Sequence, residues 1–108
     1  MEKFIDIKNP TKDCNKLKIK LYYDLGGYNC WHGTYETRGY YISVTPVYKD
    51  GWLESYTLFT GIKQCIKAVN RKSEKAYYEA LDCINEFLPG LIAHVCAENK
   101  IEVCKNDY

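Results

Sequence analysis

The sequence has no excess of charge of either sign. Its 15 Lys and Arg residues against 14 Asp and Glu residues give a formal net charge of +1. Strongly basic nucleic-acid-binding domains have a different balance, because their lysines and arginines neutralise phosphates. The charge balance therefore disfavours that class of protein, although it leaves room for a local basic patch.

Long apolar runs are scarce as well. No segment has the ~18 consecutive apolar residues that are typical of a membrane helix. The first ten residues, MEKFIDIKNP, lack the apolar stretch and the small-residue cleavage site of a secretory signal. We therefore expect a cytoplasmic protein without a membrane partner.

The six cysteines are the feature that would suggest a disulfide framework, since an even number in a short chain is typical of secreted domains. Three of them fall at apolar positions of predicted helices, where free cysteine behaves as a small buried hydrophobic residue. Together with the missing secretory signal, this placement predicts reduced thiols.

Three segments indicate β-strands. In residues 16–24, KLKIKLYYD, four large side chains share one face and three lysines lie on the other, which is typical of a half-buried strand. Residues 38–47, RGYYISVTPV, are β-branched and aromatic. Asp50-Gly51 is a typical hairpin turn, so it predicts a third strand over residues 52–60, WLESYTLFT.

A helical period follows. After a Thr60 cap, residues 61–72 place apolar side chains at helical spacing: Ile62, Cys65, Ile66 and Val69. Ser73 is the predicted N-cap of a second helix over residues 73–100, which has a long apolar stripe. Pro89-Gly90 within it predicts a kink or a split.

The predicted fold is a single α+β domain over residues 1–108. A three-stranded antiparallel β-meander is followed by two amphipathic helices packed on one sheet face, in the order β-β-β-α-α. The domain divides into a polar N-terminal segment with a short edge strand (1–15), the sheet (16–60), the helices (61–100) and a tail (101–108). The other sheet face is expected to stay open.

The aromatic residues are concentrated in the predicted sheet. Eight of the 11 tyrosines lie between Tyr22 and Tyr56, and both tryptophans fall in the same stretch. Rigid aromatic side chains with a polar tip are enriched at interfaces. We therefore expect the sheet face and a hairpin over residues 25–37 to bind a partner protein or a second copy of the chain. The expected binding residues are Tyr22, Tyr28, Trp31, Tyr35, Tyr41, Trp52 and Tyr56.

Nucleic-acid binding is the alternative function. Lys63, Lys67 and Arg71 are spaced four residues apart and would form a basic stripe on the first predicted helix. With two strand lysines they make up the candidate phosphate contacts: Lys18, Lys20, Lys63, Lys67 and Arg71. In this interpretation the tyrosines stack on bases. The competing interpretation of the stripe is a solvent-exposed helix face.

Three groups of residues resemble catalytic or metal sites, and each has a simpler explanation. Cys30 and His32 could pair as thiolate and imidazole, but no third residue orients them. His94 and Cys96 repeat this spacing, yet residues two apart on a helix point in different directions. The third group is explained by a solvent-exposed helix face: Glu79, Asp82 and Glu86. We therefore expect a non-enzymatic protein without catalytic residues, metal or cofactor.

Residues 17–72 resemble small uncharacterised accessory proteins of bacterial phages and conjugative elements. The resemblance rests on three motifs: GG at 26–27, RGYY at 38–41 and SVTPV at 43–47. It implies a cytosolic accessory protein of a mobile element and no particular activity. In element order alone, three strands and a helix also resemble the AP2-like DNA-binding domains of integrases. Those sheets present arginines to bases, whereas Arg38 is the only arginine before the predicted helices.

Overall fold

The computed structural model of the chain describes residues 1–8, 14–30, 33–48 and 61–103. These ranges contain six strands and one helix: β1 (Glu2–Asp6), β2 (Cys14–Asp24), β3 (Gly27–Asn29), β4 (Thr34–Glu36), β5 (Gly39–Tyr48), β6 (Ile62–Ala68) and α1 (Glu74–Asn99). Four strands form one antiparallel sheet in the order β1-β2-β5-β6, and β3 and β4 form a separate two-stranded sheet.

Strands β2 and β5 lie at the centre of the four-stranded sheet, and they alternate apolar and polar side chains over residues 16–21 and 42–45. Their register places Ile19 opposite Val44 and Leu21 opposite Ile42. Ile5 of β1 extends this apolar face on the outer side of β2. All five side chains are buried, so the centre of this sheet face is apolar and covered.

Helix α1 covers that face. Its buried side chains recur at intervals of three and four residues, as on one side of an amphipathic helix: Ala76, Ala80, Ile84, Leu88, Leu91, Ile92 and Val95. They form one hydrophobic cluster with the buried strand residues. Burying a large aliphatic side chain contributes about 1.5–3 kcal/mol, so this contact is the main source of stability in the described chain.

Both ends of α1 have side-chain or backbone caps. Ser73 begins the helix as the sequence predicts, since its hydroxyl oxygen accepts a hydrogen bond from the Ala76 backbone N–H at 3.1 Å. Lys100 ends it in the left-handed conformation with φ 56°, and its backbone N–H donates to the carbonyl oxygen of Cys96. These caps satisfy backbone groups that the helix itself leaves without partners.

The predicted split at Pro89-Gly90 does not occur, because α1 runs without interruption from Glu74 to Asn99, and a kink there stays a prediction. Proline removes the hydrogen bond to the carbonyl four residues earlier, that of Asn85. Asn85 and Pro89 are both exposed, so water can satisfy this carbonyl on the solvent side of the helix.

The prediction of three strands followed by two helices is wrong. Residues 62–68, expected in the first helix, form strand β6 and pair with β5. The register of this pair shifts between Tyr40 and Tyr41, so β6 carries an extra residue there. The extra residue interrupts the alternation that identifies a strand. The apolar residues of this segment then match a helical period by coincidence.

The two edges of the sheet also differ from the predicted meander. The short edge strand expected near the N-terminus is β1, and it makes the described sheet four-stranded. The third predicted strand, residues 52–60, and the Asp50-Gly51 turn lie outside the described residues.

By length and composition alone, helix α1 could cross a membrane. The core helix of a soluble protein can meet the same two criteria. One side of α1 packs on the sheet. Its other side carries exposed charged residues, including Glu74, Asp82, Glu86 and Glu98. The described chain is a compact globular domain with one marginally apolar helix.

Candidate functional site

A hairpin extends from the end of the four-stranded sheet where β2 finishes and β5 begins. It comprises β3 and β4, and we call residues 25–38 the aromatic arm. Tyr28 and Tyr35 lie directly opposite each other, with ring centroids 5.1 Å apart. Tyr28 is 60% exposed, Tyr35 is 83% exposed and Leu25 is 66% exposed. In its described residues, the aromatic arm therefore presents three large hydrophobic side chains that take no part in the core.

Hydrogen bonds fix the base of the aromatic arm. The backbone N–H of Gly26 donates to Asp24 Oδ1 at 2.7 Å, and Arg38 Nε donates to the carbonyl oxygen of Leu25 at 2.9 Å. Gly26 has φ +67° and approaches the backbone of Glu36 and Arg38 so closely that a Cβ atom would clash. The two segments at the base thus meet at a position that requires glycine.

An ion pair connects the aromatic arm to the sheet. Glu36 Oε1 lies 2.9 Å from Lys63 Nζ of β6. The hydrogen bond with Glu36 raises the pKa of Lys63, against the lowering effect of partial burial. Both side chains are partly solvent-exposed, so screening limits what the pair contributes to stability. The pair connects β4 to β6, the edge strand of the four-stranded sheet.

The sheet face opposite α1 is the open face. Next to the aromatic arm it carries Tyr22 and Tyr41, whose rings stack with centroids 5.9 Å apart. Tyr41 is only 5% exposed, and its hydroxyl donates to the carbonyl oxygen of Thr37. Burial raises the pKa of both phenols. Tyr41 therefore supports the base of the aromatic arm, and its burial does not fit the expected binding role.

Polar side chains cross the middle of the open face. Ser43 of β5 lies directly opposite Lys20 on one side and Lys63 on the other, and the next row places Lys18 opposite Thr45. We call the open concavity along these rows, of about 370 Å³, the polar groove. It is lined by Lys20, Tyr22, Ser43, Thr45, Gly61, Ile62 and Lys63. Each of its polar side chains can donate a hydrogen bond.

The structure separates the candidate phosphate contacts. Three of them share the open face: Lys18, Lys20 and Lys63. Lys67 lies on the helix side of β6, where its Nζ is 2.6 Å from Glu79 Oε2 of α1. That contact lowers the pKa of Glu79 and raises the pKa of Lys67. Arg71 is exposed between β6 and α1. The predicted helical stripe is therefore wrong, because its residues belong to a strand and a connection.

The expected binding residues are only partly brought together. Tyr28 and Tyr35 share the aromatic arm, and Tyr22 is partly buried on the open face. Three others lie outside the described residues: Trp31, Trp52 and Tyr56. Sequence reasoning missed Leu25, although its position beside the Gly26-Gly27 turn was a usable signal. It also missed the contacts of Glu36 and Ser43, which depend on strand register.

The candidate catalytic and metal-binding groups remain separate. Free thiols in the described ranges include those of Cys30, Cys65, Cys83 and Cys96. Cys30 is exposed on the aromatic arm, and its predicted neighbour His32 lies outside the described residues. His94 is exposed on α1, whereas Cys96 packs against the core, where burial raises the pKa of its thiol. Within residues that the structure describes, no three His, Cys, Asp or Glu side chains could hold a metal ion together.

No family model, no curated protein and no solved structure matches the chain. Function is therefore inferred from the geometry of the aromatic arm and the open face.

Proposed function

We propose that the protein is a small non-enzymatic interaction protein, an adaptor or an inhibitor, that places its aromatic arm in an apolar pocket of a partner protein. One observation carries this proposal. Tyr28 and Tyr35 form a ring pair that is largely exposed, on a hairpin that stands outside the hydrophobic core. Tyrosines of this kind are typical anchors of protein interfaces.

The base of the aromatic arm supports the same conclusion. Association is costly when a flexible segment has to be ordered, so a segment held in its bound geometry binds more tightly. The arm is held by the Arg38–Leu25 hydrogen bond, by the close approach at Gly26 and by the Glu36–Lys63 ion pair. Binding should therefore cost its tyrosines little conformational entropy.

The cytoplasmic location and the origin in a phage or conjugative element are parts of this proposal. Both rest on the sequence, through the resemblance of residues 17–72. The compact globular domain supports the location only in so far as it needs no membrane to cover its core.

A photo-cross-linking experiment tests the proposal. A photoreactive phenylalanine analogue replaces Tyr35 in one protein and Tyr78 in a second, since Tyr78 is an exposed tyrosine (54%) on helix α1 and not on the aromatic arm. After irradiation in cells of the native host, we expect position 35 to give a discrete adduct that position 78 does not give. The same adduct should disappear when Tyr28→Ala is added.

The outcomes separate the proposal from its competitors. Adducts of equal yield from both positions, or none from position 35, would overturn it. An adduct of twice the chain mass would identify the partner as a second copy of this protein, which sedimentation of the purified protein would confirm. Circular dichroism of each variant shows that the fold is retained.

The structure does not support nucleic-acid binding through a basic stripe on a helix. Lys63 and Lys67 lie on opposite faces of a strand, and Lys67 pairs with Glu79. The lysines that remain together are those of the open face.

A further inference from the structure

The polar groove has a lysine on each of the two strands that flank one serine. Ser43 lies directly opposite Lys20 on β2 and directly opposite Lys63 on β6. Side chains directly opposite in neighbouring strands have Cβ atoms about 4.5–5.5 Å apart, so all three polar ends can reach one small ligand. Thr45 adds a second hydroxyl in the next row.

Gly61 shapes one end of the polar groove. A Cβ atom at this position would lie 2.9 Å from the carbonyl oxygen of Val44 and 3.2 Å from Thr45 Oγ1. Contacts this short between a Cβ and backbone atoms are not tolerated without displacement. The missing side chain therefore leaves the Thr45 hydroxyl accessible from the groove.

The printed ion pairs around the polar groove involve Lys18 and Lys63 and leave out Lys20. Glu2, which is opposite Lys20 in the register, has its nearest ammonium on Lys18 at 4.0 Å. Glu36 binds Lys63 from the side of the aromatic arm. Lys20 Nζ lies 5.8 Å from the centroid of the Tyr22 ring, and among the described residues it has no ion pair. Lys20 is thus available to a ligand. Lys63 Nζ contacts both carboxylate oxygens of Glu36 and keeps its third N–H donor.

We propose that the polar groove binds a phosphate group, carried by a nucleotide, by another phosphorylated molecule or by a nucleic-acid strand. In the described part of the chain, every polar side chain that lines the groove is a donor, and no carboxylate lines it. A phosphate has several acceptor oxygens that can use two ammonium groups and two hydroxyls at once, and such charge-assisted hydrogen bonds are the strong ones. This inference does not rest on the aromatic arm as a protein-binding site.

Titrations of the ¹⁵N-labelled protein by NMR test the inference with three probes: inorganic phosphate, AMP and a short single-stranded oligonucleotide. We expect saturable shift changes of the Ser43 and Thr45 amides. Lys20→Gln should weaken binding roughly tenfold, since it removes a charge-assisted contact. Lys75→Gln, which removes the same charge from an exposed position on α1, should leave binding unchanged.

The three probes also distinguish the source of the phosphate. Equal affinity for AMP and the oligonucleotide assigns the groove to a small ligand. Tighter oligonucleotide binding that weakens steeply with salt assigns it to a nucleic-acid strand. The inference is overturned if no probe shifts these amides, or if Lys20→Gln and Lys75→Gln weaken binding equally. The double variant Tyr28→Ala, Tyr35→Ala should still bind phosphate. A failure of the partner-protein proposal would therefore leave this inference standing.

Discussion

The two faces of the four-stranded sheet use the same strands for different purposes. On the side of α1, the alternate residues of β2 and β5 are apolar and almost completely buried. On the open face, the residues between them are lysines, hydroxyls and two stacked tyrosines. Under our proposals, stability and recognition are assigned to alternate positions of one backbone. The aromatic arm extends this division, because it presents its side chains away from the core.

The largest difference between the two faces should appear at neighbouring positions of β5. Ile42 is fully buried, so Ile42→Ala should lower the free energy of unfolding by about 2–5 kcal/mol. Ser43 points to the open face, and Ser43→Ala should change it by less than about 0.5 kcal/mol. Urea denaturation measures both. Equal losses at the two positions would contradict the division between the faces.

A pair of glycine substitutions should give effects of opposite sign. Gly39 has φ +155°, and a Cβ there would overlap the carbonyl oxygen of Lys67, so Gly39→Ala should cost about 1–3 kcal/mol. Gly90 lies in α1 with open space around it, so Gly90→Ala should stabilise by about 0.5–1 kcal/mol. Thermal unfolding of the two variants checks the signs. Stabilisation by Gly39→Ala would show that β5 and β6 do not approach as described.

Loss of the helix cap should have an intermediate effect. Ser73→Ala removes the hydrogen bond from the Ala76 N–H to the hydroxyl and should destabilise by about 1 kcal/mol. Ser73→Asp should recover most of this loss, because aspartate is also a good cap. Urea denaturation measures the free energy of unfolding of both variants. An unchanged value for Ser73→Ala would contradict the assigned start of α1.

A small pH-dependent effect is expected at the ion pair of the aromatic arm. Folding raises the pKa of Lys63. The stabilisation that the ion pair gives the folded state is therefore fully present below the unfolded pKa of about 10.4, and it is lost as pH rises through the folded pKa. Glu36→Gln should bring the pKa of Lys63 down, which an NMR titration of the lysine side chains can follow. The free energy of unfolding of this variant should then depend less on pH above about 10. An unchanged Lys63 titration would show that the ion pair does not form.

Much of the helix-facing side could be predicted from the sequence. Alternation identified β2 and β5, and the apolar stripe and Ser73 identified α1. Strand β6 could not be recognised, because the register shift opposite Tyr40 and Tyr41 removes the alternation on which strand prediction depends. Periodicity is a property of a single segment, whereas a bulge arises from pairing with a neighbour.

The site was predictable to a smaller extent. Clustering of tyrosines pointed to the aromatic arm, where Tyr28 and Tyr35 are exposed, but it could not show that Tyr41 is buried. The polar groove depends on the alignment of Ser43 with Lys20 and Lys63 across three strands. That alignment follows from strand order and register, which the sequence pattern does not determine.

The central claim is that the tyrosines of the aromatic arm serve a partner and contribute little to the fold. Its most direct test is the free energy of unfolding of the Tyr28→Ala, Tyr35→Ala double variant in urea. We expect a value within about 1 kcal/mol of the unsubstituted protein, since an exposed ring pair outside the core contributes little. A loss of ~3 kcal/mol or more, comparable with Ile42→Ala, would show that these rings are structural and would contradict the claim.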